Sequence, residues 1–243
     1  MSSADDAGEA QMDLTVLSQR IAQLRSGQPA RTALPILVLD SLLPRQRLTI
    51  VMDDEAGRLL LRDCVNLYDS MLGVHGYDPR TKNILATGTQ VRVVVSEDNS
   101  TVTLIGQRRY TLCATPRLAA DTYYVSDVEW TERDEGDNDA VVAAEALGPL
   151  VARWIELVRG GRERSEGQLD RILTDLGPMP PPADPDELAL YVAALINPLP
   201  ALGVAYEIRP AMLVAKSAAE RLQIARVGIE KSIGHLDGSR PLW

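Results

Sequence analysis

The chain has 243 residues, of which 45% are hydrophobic and 24% charged, a composition ordinary for a globular protein that buries a core. Its net charge of −9 opposes the charge neutralisation on which phosphate-backbone affinity depends, so we do not expect a nucleic-acid partner. The sequence contains no run of roughly 18 apolar residues, which a membrane helix needs. Its acidic opening lacks a secretory signal. We expect a cytoplasmic protein, or an organellar one if a targeting segment has been removed.

The first 31 residues differ in pattern from the rest of the chain. Residues 1–12 are polar and acidic, and we expect them to be disordered. Residues 13–25 carry Leu14, Leu17, Ile21 and Leu24 at helical spacing, which predicts a short amphipathic helix. That helix would dock on its own domain or on a partner, and we favour its own domain.

Between residues 32 and 133 the pattern changes to short strands. Apolar or alternating runs predict strands at 34–39, 47–52, 73–76, 87–95, 101–106, 108–112 and within 121–130, with a helix over 53–68. Two turns, at 78–80 and 97–100, separate some of them. Six or so short strands around one helix favour a small closed or nearly closed β-barrel over a parallel sheet.

An acidic loop at 134–139 opens a helical region that extends to residue 236, with a short tail at 237–243. Helices are predicted over 140–159, 166–176 and 184–196, and two more begin near Arg209 and Ser217. Asp184 is predicted to be the N-cap of its helix, with proline in the first turn and Glu187 placed to reach back. The prediction is an α+β protein with a barrel subdomain at 32–133 and a helical subdomain at 134–236.

Catalytic and metal-binding patterns are missing from the sequence. It has no P-loop for a nucleotide and no nucleophile elbow. We expect its two histidines, His75 and His235, at the surface. Its two cysteines, Cys64 and Cys113, do not supply the closely spaced ligand pairs of a zinc site, and we expect buried thiols rather than a disulfide. We therefore predict no enzyme activity, no cofactor and no metal.

Two places are candidates for binding a partner. The adjacent arginines after Gly106 could clamp an acidic ligand, but we favour one pointing outward and the other pairing with a local carboxylate. The segment 197–210 is apolar, contains three prolines and connects two helices, which is typical of a functional loop. The candidate partner-binding residues are Arg108, Arg109, Asn197, Pro198, Leu199, Tyr206 and Arg209.

The order of these elements resembles the LON substrate-binding domain, the N-terminal domain of Lon proteases. Residues 34–39 (LPILVL) are similar to its opening strand, residues 44–50 to its second strand with Arg45 in place of the usual glycine, and residues 88–91 (GTQV) to a later one. Residues 105–110 (IGQRRY) resemble its "G-xR-F" strand, and residues 220–222 (ERL) resemble a segment of its helical half.

The resemblance covers residues 34–233 and implies a PUA-like barrel followed by a helical bundle. In Lon this domain helps to engage substrate protein, while later domains hydrolyse ATP and peptide bonds. Our main hypothesis is a non-catalytic binding or adaptor module for a protein partner or client polypeptide. The alternatives are a small-molecule sensor or enzyme with a pocket between barrel and bundle, and a structural subunit of a larger complex. The oligomeric state is left open.

Overall fold

A computed structural model describes residues 32–78, 81, 83–96, 101–161, 163 and 165–241. The predicted tail and helix of residues 1–31 lie outside this range, as do most of the predicted turns at 78–80 and 97–100. The strands are Thr32–Val38 (β1), Arg47–Val51 (β2), Met71–His75 (β3), Thr87–Val95 (β4), Thr101–Leu112 (β5), Arg117–Ala119 (β6) and Tyr123–Trp130 (β7). The helices are Glu55–Leu67 (α1), Asn138–Glu145 (α2), Leu147–Arg159 (α3), Gln168–Leu176 (α4), Pro185–Ile196 (α5), Arg209–Val214 (α6) and Ala218–Leu236 (α7).

The described strands form one sheet in the order β2-β5-β4-β3-β1-β7-β6, and a further pairing of β5 with β7 closes five of them into a ring. β1 and β3 are parallel, and the other described pairs are antiparallel. Parallel strands need a crossover connection, and the connection from β1 to β3 runs through β2 and α1. The predicted barrel of an α+β protein is therefore confirmed.

Two details of the predicted strands were wrong. The short strand β6 was missed, because three residues are too few to show an alternating pattern. Residues 101–112 form the single strand β5, not two strands separated by a glycine bend. A Cβ at Gly106 would overlap the carbonyl oxygen of Leu43, so this glycine allows the chain between β1 and β2 to cross the strand closely.

The barrel buries a hydrogen-bonded histidine–tyrosine pair. The Tyr110 hydroxyl lies 2.6 Å from His75 Nε2, and His75 Nδ1 lies 2.8 Å from the carbonyl oxygen of Leu85. A carbonyl only accepts, so Nδ1 carries the proton and Nε2 accepts from the hydroxyl. His75 is fully buried, so its predicted surface position was wrong. A Cβ at Gly73 or Gly88 would overlap this pair, and the two glycines thus make room for it.

The two cysteines and His235 differ in their burial. Both cysteines are free thiols, but Cys64 is buried and Cys113 is exposed, so burial was predicted correctly for one of them only. Burial raises the pKa of the Cys64 thiol to about 12. His235 is partly buried in the last turn of α7.

The helical region packs around α5, in which eleven of twelve residues are buried. A helix that is apolar on every side belongs in the centre of a bundle, and α5 packs against α2, α4, α6 and α7. The predicted helix over 140–159 is two helices that meet at Ala146, a residue whose high helix propensity hides the break. Among the described residues, no helix is both long and apolar enough to cross a membrane.

Two predicted helix starts have different outcomes. Ser217 Oγ accepts a hydrogen bond from Glu220 N, so its capping role is confirmed. Asp184 precedes α5 but makes no capping bond, and its carboxylate pairs with Arg133 instead. Proline occupies the first turn of α5 as predicted.

Candidate functional site

The connection between α5 and α6 is held in shape by one amide side chain. Asn197 Nδ2 donates to the carbonyl oxygen of Tyr206 at 2.8 Å, and Asn197 Oδ1 accepts from Ile208 N at 3.1 Å. Both ends of the intervening loop are thereby tied together, which fixes Tyr206 beside α7. Asn197 itself is buried, so its side chain acts on the loop rather than on solvent.

A groove lies between this loop and the outer face of α7. Its volume is about 330 Å³, and we call it the bundle groove. The lining residues are Tyr206, Ile208, Gln223, Ile224, Val227, Gly228 and Lys231. Lys231 Nζ lies 5.3 Å from the centre of the Tyr206 ring, a distance at which an ammonium and an aromatic face attract each other. As far as the described residues line it, the groove is therefore an apolar channel with a single cation at its rim.

The other candidates of the segment 197–210 point elsewhere. Pro198 is buried, and Leu199 packs against the apolar cluster of the barrel that contains Leu42. Arg209 is buried and donates to both carboxylate oxygens of Glu207, at 2.8 and 2.5 Å. Of the five candidate residues in segment 197–210, Tyr206 is the one that has an exposed side chain lining the groove.

The two adjacent arginines of β5 have different surroundings. Arg108 points outward, with its guanidinium 3.4 Å from the centre of the Trp130 ring and its Nε donating to Gln90 Oε1. Arg109 is only 5% exposed and pairs through Nη2 with Asp186 Oδ2 at 2.7 Å. One arginine is thus outward and the other paired, as predicted, but the carboxylate is on α5 rather than local.

Asp186 joins three elements at the border of barrel and bundle. Its second oxygen, Oδ1, accepts from Nε of Arg221 on α7, whose Nη1 donates to the carbonyl oxygen of Ala215 at 2.6 Å. All three charged side chains are almost fully buried, with Asp186 1% exposed. Burial lowers the pKa of Arg109, and the Asp186 carboxylate opposes that effect. We call this set of Arg109, Asp186 and Arg221 the junction triad.

A second concavity of about 420 Å³ opens next to the junction triad, and we call it the junction cleft. It is lined by Thr87, Arg109, Thr111, Thr131, Glu132, Arg133, Asp134, Leu213, Val214, Ala215, Lys216 and Arg221. Asp134 accepts hydrogen bonds from the backbone N–H groups of Ala218 and Gly136, which lowers the pKa of its carboxyl. The cleft is more polar than the bundle groove and carries charges of both signs.

The sequence did not reveal the wall of the groove that α7 provides. Ile224, Val227 and Lys231 follow one another at helical spacing, but the same helix carries a more apolar inner face that dominates the pattern. The junction triad was also missed, because nothing in a sequence pairs Asp186 with Arg221, 35 positions away. Within the part of the chain that the structure describes, no three potential metal ligands come together.

Comparison with known proteins gives matches among solved structures. One is the crystal structure of a Lon N-terminal domain protein from Xanthomonas campestris, 22% identical, with a TM-score of 0.50, covering 81% of this chain and 98% of that one. Another is the N-terminal domain of a Mycobacterium avium complex Lon protease, 14% identical, with a TM-score of 0.60, covering 82% of this chain and 98% of that one. No family model and no curated protein matches the sequence. The chain therefore has the fold of a Lon N-terminal domain.

Proposed function

We propose that this protein is a binding module that holds apolar segments of other polypeptides in the bundle groove. The observation that carries the proposal is an apolar channel, open to solvent, on a chain with the fold of a Lon N-terminal domain. The resemblance noted in the sequence implies the same role, since in Lon this domain helps to engage substrate protein. No catalytic step is part of the proposal.

The side chains of the bundle groove favour a polypeptide over a small polar ligand. Ile208, Ile224 and Val227 form apolar walls, and the one charged group, Lys231, stands at the rim. Moving apolar client side chains from water onto these walls lowers the free energy of the complex, and it requires no matching polar group. The lone ammonium favours a segment that carries a carboxylate next to its apolar residues.

Charge placed in the groove should weaken this binding. Val227 is 37% exposed on α7 within the groove, and Val142 is 65% exposed on α2 outside it. In Val227→Asp the groove receives a carboxylate that must be desolvated when a client binds, whereas Val142→Asp makes the same change elsewhere. We expect the first variant to bind at least about tenfold more weakly, equivalent to 1.4 kcal/mol, and the second to bind like the wild type.

The measurement is fluorescence anisotropy with a labelled, reduced and carboxymethylated model protein that stays unfolded. Circular dichroism and the thermal midpoint of each variant confirm that the fold is retained. Equal affinities of the two variants would refute the groove as the binding site. Failure of the wild type to bind any unfolded polypeptide would refute the proposed function itself.

A second candidate function is a small-molecule sensor in the junction cleft. It is favoured by the polar lining of the cleft, in which the exposed Lys216 can meet an anionic group beside the buried Arg109 and Arg221 of the junction triad. The test is the shift of the thermal midpoint with inorganic phosphate and with simple dicarboxylates, compared between the wild type, Lys216→Ala and the groove variant Lys231→Ala. A shift that Lys216→Ala alone reduces would support this candidate, and the absence of any shift would exclude it for these anions.

A further inference from the structure

The barrel leaves the outer edge of β2 open. β2 is the first strand in the sheet order and pairs with β5 on one side. Among the described residues, no strand pairs with its other side. An open edge presents backbone N–H and C=O groups that can pair with another chain.

The hydrogen-bond pattern identifies the backbone groups that point outward. Gly106 N donates to Gln46 O at 2.9 Å, so this position bonds directly across β2 and β5. Bonded positions alternate along an antiparallel pair, so Leu48 and Ile50 also bond to β5. The N–H and C=O groups of Arg47, Thr49 and Val51 then point away from β5. The 3.1 Å contact between the Thr49 and Thr103 hydroxyls fits a non-bonded position, where opposing side chains come closest.

Beyond the charge of Arg47 at its first position, the edge lacks the features that usually prevent pairing. Natural edge strands carry proline, inward charges, bulges or lysines. The sequence of β2 is Arg-Leu-Thr-Ile-Val, which contains none of these in its interior. Its outward residues are exposed, and Val51 has 64% of its surface in contact with solvent. We call the outward groups of Arg47, Thr49 and Val51 the β2 edge.

The charges around the β2 edge are self-complementary. Arg45, in the turn before the edge, is held by Glu187 and by the carbonyl oxygens of Leu176 and Pro178. Arg47 stands at the start of the edge in an exposed pair with Asp175 at 3.2 Å, which contributes little and can be exchanged for another partner. Asp53 and Glu55 follow the end of the edge and form no ion pair with a described residue. Two antiparallel copies would bring the basic end of each against the acidic end of the other. A client strand would need the same charge order in its own sequence, whereas a second copy of this chain has it already.

We infer that two copies of the chain associate through their β2 edges, antiparallel, with Thr49 opposite Thr49 on a two-fold axis. In this register Arg47 lies opposite Val51 of the second copy and diagonal to Asp53 of that copy. The three outward residues of each copy form about six backbone hydrogen bonds across the axis. A two-fold interface of this kind is closed, so association stops at the dimer.

The first test removes a donor from the edge. Thr49→Pro deletes an N–H that points outward, and Thr49→Val keeps that N–H while removing the hydroxyl. Sedimentation equilibrium over the micromolar to millimolar range should show a reversible monomer–dimer equilibrium for the wild type and Thr49→Val. The dissociation constant of Thr49→Pro should be at least about tenfold higher, because two of the central hydrogen bonds are lost.

The second test does not depend on whether Thr49→Pro folds. Arg47→Glu and Asp53→Lys each place like charges diagonally across the axis at both ends of the interface, and each should weaken the dimer. The double variant exchanges the charges and should restore it. Asp175→Ala removes the intramolecular carboxylate that competes for Arg47, so it should dimerise at least as well as the wild type.

Amide exchange completes the test. On dimerisation the amide protons of residues 47, 49 and 51 should become protected, while the already bonded 48 and 50 change little. A wild type that stays monomeric throughout, or a dimer that tolerates Thr49→Pro and both single charge reversals, would overturn the inference. Protection that appears only with an unfolded client would also overturn it and assign the edge to client strands. These readouts use the chain alone, so they are independent of the bundle groove.

Discussion

The bundle buries one contiguous apolar core around α5, whereas the barrel distributes its buried apolar side chains over three smaller clusters. The bundle core also takes in Leu43 and Leu85 from barrel loops, so the two regions share a border of apolar contacts. Each region contains a polar group in its interior. In the bundle it is a carboxylate held by two guanidiniums, and in the barrel it is a neutral histidine held by a tyrosine.

This difference indicates where each region is vulnerable. Because α5 is buried on nearly all sides, the Asp186 carboxylate depends on the two arginines for its ion pairs and side-chain hydrogen bonds. The barrel instead encloses the side chains of His75 and Tyr110, and Gly73 and Gly88 leave the space that these two aromatic rings need. The bundle should therefore be sensitive to a change of charge, and the barrel to a change of volume.

The largest expected effect comes from Asp186→Ala. This variant leaves two buried guanidiniums without their carboxylate, and we expect a loss of about 3–5 kcal/mol in the free energy of unfolding, measured with urea. Asp170→Ala is the control, since its pair with Arg159 is exposed and should contribute little. Equal losses in the two variants would mean that the junction triad does not hold barrel and bundle together.

A volume change in the barrel should have a smaller effect. In Gly73→Ala the new Cβ would overlap the Tyr110 hydroxyl, and we expect a loss of about 1–3 kcal/mol in the free energy of unfolding. Combining it with Tyr110→Phe should recover part of the loss. Gly148→Ala in the bundle is the matched control, because nothing lies within 4 Å of its added Cβ and alanine favours the helix. Similar destabilisation in both single variants would contradict the contrast between barrel and bundle.

The smallest expected effect is a pH dependence that belongs to the barrel. Burial lowers the pKa of His75 in the folded protein, while the unfolded chain binds the same proton near pH 6.5. The contribution of neutral His75 is complete above that pH and is lost as the pH falls towards its folded pKa. The slope is at most about 1.4 kcal/mol per pH unit.

Urea unfolding between pH 8 and 5 tests this dependence. The slope should decrease in His75→Gln and persist in His235→Gln, whose side chain lies in α7 of the bundle. If removing His75 left the slope unchanged, the acid sensitivity would belong to other groups.

Much of the fold could be predicted from the sequence, because a buried face leaves a periodic pattern. Alternation identified β4, and the proline and acidic residues after Asp184 identified the start of α5. The break at Ala146 could not be predicted, since alanine is compatible with the helix on both sides. The burial of His75 depends on the room that Gly73 and Gly88 leave for two rings, and a local pattern does not show which glycines face a ring.

The site was predictable only in part. Prolines and an apolar composition singled out the loop after Asn197, and this loop does form one wall of the bundle groove. Which side chains face outward depends on the hydrogen bonds of Asn197 and on the pairing of Arg209 with Glu207, and neither can be deduced from composition. A binding role for the seven candidate residues stays a prediction.

One glutamine connects the loop after Asn197 with the start of β2. Gln46 Oε1 accepts from Leu43 N, while its Nε2 donates to the carbonyl oxygens of Ala194 and Asn197 at the end of α5. The next residue, Arg47, begins the β2 edge. A client that displaces the loop after Asn197 therefore strains the same amide that positions the start of β2. Thermodynamic linkage then requires reciprocity. If client binding changes the dimerisation constant by some factor, dimerisation changes the affinity of the groove for the client by the same factor.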